Sequence, residues 1–218
     1  MNVFALKIIA LVTMIIDHYG AIFQEDMMIF RMIGRIAFPI YCFLLVEGYF
    51  HTSNFKKYAQ RLLLFALISE IPFDLAFFNQ VGFVHQNIFF TLFIGLITIY
   101  ILDNKVERFK FNNTAVIISA CILAVLLKVD YDAMGIVYIL TFYFTRNQEK
   151  PKKFIITSIV MIIVNFSSVF IQQLSLLALP FIYKYNGSLG AKNKFLQISF
   201  YAVYPLHLLI YYAAKLYL

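Results

Sequence analysis

The chain is a succession of long apolar runs broken by short polar connections. The runs fall at roughly 3–23, 31–50, 58–78, 87–102, 114–129, 133–145, 153–170, 173–184 and 197–217. Inside them the apolar residues are continuous and do not alternate with polar ones, unlike the strands of a membrane barrel. Backbone polar groups in hydrocarbon must be satisfied within the segment itself, and a helix does that. The pattern predicts an all-α, polytopic integral membrane helical bundle of about nine transmembrane segments. The connections carry polar and turn residues, among them Gln24-Glu25-Asp26, Thr52-Ser53-Asn54 and Asn186-Gly187-Ser188. Segments six and eight are too short for an upright crossing, which takes about 20 residues. They are read as tilted, half-length or broken, as happens where a cavity enters a membrane protein.

Composition supports this picture. The 218 residues are 62% hydrophobic and 13% charged, against about 25% charged in a soluble domain. No stretch is left for a soluble unit, so residues 1–218 read as one membrane domain. The first run is too long for the apolar part of a signal peptide and contains Asp17 and His18, so it reads as a retained span. The net charge of +7 sits in the connections. Lys56, Lys57 and Arg61 follow the second segment, and Lys105, Arg108 and Lys110 the fourth. Arg146, Lys150, Lys152 and Lys153 follow the sixth, and Lys184, Lys192 and Lys194 the eighth. Connections 79–86 and 171–172 have no basic residue. Basic connections stay inside, which puts the N-terminus inside and the C-terminus outside the cytoplasmic (plasma) membrane of a bacterium. No basic, aromatic-interleaved surface remains for nucleic acid. Cys42 and Cys121 lie within apolar runs without metal-type spacing and read as packing residues. No metal is expected.

Ionisable residues inside spans are costly and mark function by default. Asp17 and His18 lie in segment one, Arg31, Arg35 and Glu47 in two, Arg61, Glu70 and Asp74 in three, and His207 in nine. Arg31 and Arg35 are four apart and share a helix face, as do Glu70 and Asp74. With the N-terminus inside, both pairs lie toward the outer half of the membrane, level with Asp17 and His18. Asp130 and Asp132 are expected just outside. The simplest packing neutralises the arginines with the carboxylates, either as an ion cluster that fixes helix register or as part of a site. Arg61 reads equally as an interfacial side chain that snorkels. His207, after Pro205, reads as a packed, hydrogen-bonded histidine and is kept as a reserve base together with Glu70. An acid beside an imidazole in an apolar run is the composition of a proton-handling site. Neighbouring helical residues point about 100° apart, so Asp17 need not touch His18.

Several of these residues form motifs. They include Met14-Ile15-Ile16-Asp17-His18, Gly34-Arg35-Ile36-Ala37-Phe38-Pro39, Glu47-Gly48-Tyr49, Ser69-Glu70-Ile71-Pro72-Phe73 and Tyr204-Pro205-Leu206-His207. In this order they resemble the TraX family over residues 6–74 and 185–207. The resemblance implies N-acetylation, as of conjugative pilin, with acetyl-CoA as donor. The same region is similar to the wider transmembrane acyltransferase superfamily in its early-span histidine, its Phe-Pro second span and the arginine that follows. The resemblance further implies transfer from a cytoplasmic thioester to a protein N-terminus or glycan on the far side.

Joined to the residues, it gives a mechanism. Glu47, Lys56, Lys57 and Arg61 border the donor site, where the basic groups hold phosphates. His18 is the general base, tuned by Asp17. Arg31 or Arg35 stabilises the oxyanion. Direct transfer and a covalent acyl-histidine both remain open. The rival readings are a proton-coupled transporter or flippase, and a non-catalytic membrane assembly factor.

Overall fold

The computed structural model describes residues 1–103, 112–191 and 193–217. The basic residues Lys105, Arg108, Lys110 and Lys192 lie outside these. Among the described residues the chain is all-helical, and each of the nine apolar runs forms helix. In order these are α1 (Val3–Phe23), α2 (Met28–Gly34), α3 (Ala37–His51), α4 (Phe55–Phe78), α5 (Ile88–Leu102), α6 (Asn113–Leu126), α7 (Asp132–Thr145), α8 (Lys150–Asn165), a 3-10 segment (Phe170–Ala178), α9 (Leu179–Tyr183) and α10 (Lys194–Lys215).

The nine expected transmembrane segments differ in length. Among the described residues, only Val3–Phe23 and the combined Met28–His51 unit are both long and apolar enough to cross a bilayer. Ile88–Leu102, Asn113–Leu126, Asp132–Thr145 and Phe170–Tyr183 are apolar but shorter.

Helix boundaries have local causes. Helices α1, α4, α5, α6 and α10 begin at an asparagine cap, whose side chain accepts an N–H of the first turn. Segments three and nine therefore start three residues earlier than their apolar runs. The second run is divided at Arg35 and Ile36. Pro39 is responsible: it lacks an N–H and its ring crowds the carbonyl four residues back, which belongs to Arg35. Segment eight becomes a 3-10 turn followed by a short helix that has Pro180 in its first turn.

Helix α3 is the centre of the bundle. It packs against α1, α5, α7, α9 and the 3-10 segment, and Ile40, Cys42, Leu45 and Val46 are at most 3% exposed. Helix α10 closes the bundle against α1 and α4. The outer faces are apolar: Leu64, Leu67, Ile68 and Ile71 of α4, Ile118 and Ile122 of α6, and Ile155, Ile159 and Ile163 of α8 are exposed. A parallel β-bridge between Gln86 and Val129 ties the α4–α5 connection to the α6–α7 connection.

Candidate functional site

Helix α1 brings two functional side chains to one level. Asp17 is 13% exposed and receives both arginines. Arg31 Nη1 donates to its Oδ2 at 2.6 Å and Arg35 Nη2 to its Oδ1 at 3.0 Å. Arg35 makes two further bonds, Nε to the Arg31 carbonyl and Nη1 to Gln172 Oε1 at 3.0 Å. Gln172 is held in turn, because Asn165 Nδ2 donates to its backbone carbonyl and Tyr138 donates to Asn165 Oδ1. Gly34 permits the close approach of α2. A Cβ there would stand 2.0 Å from Asp17 Oδ1.

This arrangement corrects two expectations. Asp17 holds the arginines rather than orienting His18. The carboxylates of α4 do not join them: Glu70 accepts from the Asn87 side chain and backbone N–H, and Asp74 accepts from the Gly82 N–H at 2.8 Å. Both face α5 and the connection before it, so Glu70 secures a helix junction.

The partner of His18 is His207 of α10. His18 Nδ1 and His207 Nε2 are 2.7 Å apart. Ring planes 11° apart with centroids at 4.9 Å place this bond close to the plane of both rings. His207 Nδ1 lies 2.8 Å from the Val203 carbonyl. A carbonyl only accepts, so His207 Nδ1 carries a hydrogen and Nε2 of the neutral ring is an acceptor. His18 must then donate from Nδ1, which leaves the lone pair on its own Nε2. Such a carbonyl–imidazole–imidazole chain fixes tautomer and orientation, as a carboxylate does in a catalytic triad. The rings of Phe77 and Tyr204 meet His18 edge-on and complete its setting.

His18 lines a cavity of about 600 Å³ together with Asp17, Arg31, Arg35 and Gln172. It is also lined by His85 and by residues 130–134 at the start of α7, including Asp130 and Asp132. Burial pushes the Asp130 carboxyl up to about 6, against the pull of His85 and Arg35. Tyr131 and Asp132 have φ of 64° and 41°. These left-handed conformations are unfavourable for side-chain-bearing residues, and the Gln86–Val129 bridge and the stacking of Tyr131 on Phe38 hold them.

A second cavity, of about 420 Å³, lies at the other end of the same helices. Its mouth carries Lys7, His51, Asn54, Lys57 and Arg61, and its depth is apolar, with Leu45, Leu62, Phe89 and Leu92. Arg61 Nε is buried with no hydrogen-bond partner among the described residues. Lys56, expected here, does not line the cavity. Glu47 does, but its carboxylate faces Arg146 at 3.5 Å and His51 at 4.0 Å, so it anchors the C-terminal end of α7.

The cavities share a wall of Met14, Tyr41, Ile88 and Tyr204. Helices α1, α3 and α4 each contribute one end to one cavity and the other end to its counterpart. On α1 the separation from Lys7 to His18 is about 17 Å at 1.5 Å per residue. Sequence reasoning missed Tyr41, His85 and Gln172: Tyr41 lies in an apolar run, where a wall residue looks like a packing one, and His85 and Gln172 lie in connections that only tertiary packing brings to the cavity.

An all-helical bundle with a tautomer-locked histidine above a basic cavity is the class that this fold and site define. The chain belongs to the TraX family: the family model described as TraX protein matches residues 3–215. It is similar to the probable fimbrial assembly protein FimC, serogroup H1, of Dichelobacter nodosus, with 28% identity across 100% of this chain and 97% of that protein. It is also similar to an uncharacterized protein of Rickettsia prowazekii (strain Madrid E), with 33% identity over 49% of this chain and 40% of the relative. No solved structure matches.

Proposed function

We propose that this TraX-family chain is a membrane-embedded acetyltransferase. It takes the acetyl group of acetyl-CoA from the cytoplasmic side and passes it to an amine or hydroxyl beyond the membrane. The observation that carries this reading is the pair of cavities at opposite ends of shared helices, separated by one wall of side chains. The cavity with Lys57 and Arg61 receives the anionic donor, and the cavity with His18 receives the acceptor. A fimbrial subunit amine is the acceptor that the name of the Dichelobacter relative suggests.

The membrane placement draws on the apolar outer faces of α4, α6 and α8. Exposed apolar patches larger than a few hundred Å² are rare on soluble monomers. In this reading all nine segments cross, the shorter ones tilted or broken, with the N-terminus inside the plasma membrane. The basic residues at the mouth of one cavity and the hydrogen-bonded imidazole in the other support this reading over a transporter or a non-catalytic assembly factor.

Acetyl-CoA affinity tests the reading. Charge-assisted hydrogen bonds contribute about 1.5–3 kcal/mol each. Two such bonds sum to about 3–6 kcal/mol, so the Lys57→Gln, Arg61→Gln double variant in nanodiscs should bind acetyl-CoA about 10²- to 10⁴-fold more weakly, with Tm preserved. Lys56→Gln should change little. Equal affinity in the double variant and the wild type would reject this donor site.

A further inference from the structure

We infer that Tyr41, in the wall between the cavities, is a catalytic residue whose hydroxyl donates to the thioester oxygen during transfer. The inference rests on the acyltransferase reading and begins from a vacancy in it. The arginines named from the sequence as oxyanion donors are poorly disposed for the task. Both line the His18 cavity and neither lines the wall shared with the basic cavity; Arg35 is fixed by hydrogen bonds to Arg31, Gln172 and Asp17, and Arg31 Nη1 is held against Asp17.

Tyr41 differs from both. It lines the two cavities at once, and its hydroxyl meets Met14 Sδ at 3.8 Å. A thioether is a weak acceptor, so the O–H is available to a stronger one. Met14 and His18 are four residues apart on one face of α1, about 6 Å along the axis. A thioester that reaches the wall from the basic cavity therefore has Tyr41 at its carbonyl and His18 about one turn beyond. An amine in the opposite cavity approaches from the His18 side.

The step balances without further reagents. The amine nitrogen bonds to the carbonyl carbon as its proton passes to His18 Nε2. The carbonyl pair moves onto oxygen, where Tyr41 donates its hydrogen bond and keeps its proton. Collapse restores the C=O and breaks the C–S bond, and sulfur leaves with the pair and takes the proton from His18. The products are the amide and CoA thiol.

The test uses the full chain in nanodiscs, acetyl-CoA, and a peptide bearing a free α-amine that the wild type acetylates. Tyr41→Phe keeps the ring and removes the donor. Loss of one oxyanion donor lowers turnover by about 10²–10³-fold, so kcat should fall by about 100-fold, while KM for acetyl-CoA and Tm stay near wild type. Tyr143→Phe likewise keeps a ring and removes a hydroxyl, one that donates to Asp103 outside both cavities, so it should keep kcat within about threefold of wild type. Wild-type turnover in Tyr41→Phe overturns the role of Tyr41 and leaves the acyltransferase reading standing. Equal losses in the two variants overturn it as well, because they assign the effect to loss of a tyrosine hydroxyl from the bundle and not to a donor at the thioester. Failure of the wild type to acetylate any amine or hydroxyl offered overturns both.

Discussion

The His18→Gln protein should fold, bind acetyl-CoA with wild-type affinity and transfer the acetyl group two to four orders of magnitude more slowly, the range for loss of a general base. Glutamine keeps the approximate size and a hydrogen bond to His207 but has no basic nitrogen. In the proposed function the donor phosphates sit at Lys57 and Arg61, in the other cavity, so binding should survive. His207→Phe gives a graded comparison. It fills the space but removes the acceptor that fixes the His18 tautomer, so turnover should fall by less than in His18→Gln. If histidine 18 were only a packed core residue, activity would instead fall in proportion to folded protein. Turnover per folded molecule, with Tm measured alongside, separates the two. Near-normal turnover in folded His18→Gln would remove His18 from the chemistry.

The largest stability effect should come from Asp17→Asn. Asp17 balances two guanidiniums where it and Arg35 are 13% and 11% exposed. Removing one member of a buried pair costs about 3–5 kcal/mol, because a charge is left without its counter-ion. Arg31 is 32% exposed, so water offsets part of this and a loss near 3 kcal/mol is expected. Arg35→Gln in the same protein should recover part of it, a coupling that a double-mutant cycle reads directly. Had Asp17 been the partner of His18, Asp17→Asn would lower turnover and leave Tm intact. That pattern, or additive losses in the double variant, would contradict the arginine-clamp role.

These two residues also mark how far the sequence could be read. The helices were legible because long apolar runs admit little else, and asparagine caps explain why several helices start before their runs. The arginine pair was legible because a spacing of four puts two side chains on one face, and both do reach a common carboxylate. The Asp17-His18 neighbourhood misled: adjacent helical residues diverge by about 100°, so the acid turned to α2 and the imidazole to α10. The partner of His18 stands 189 residues away in the chain, and only tertiary packing brings it near. Glu70 and Asp74 share a face as expected, but that face meets the α4–α5 connection. Lys56 neighbours Lys57 and points elsewhere for the same rotational reason.

The central claim is transfer from one side of the membrane to the other, and sealed inverted vesicles test it most directly. Acetyl-CoA with a labelled acetyl group is supplied outside, on the original cytoplasmic face, and an acceptor peptide with a free α-amine is trapped in the lumen. The account predicts label on the lumenal peptide, dependent on His18. Label confined to peptide placed on the same side as acetyl-CoA, or lumenal labelling that persists undiminished in folded His18→Gln, would contradict it.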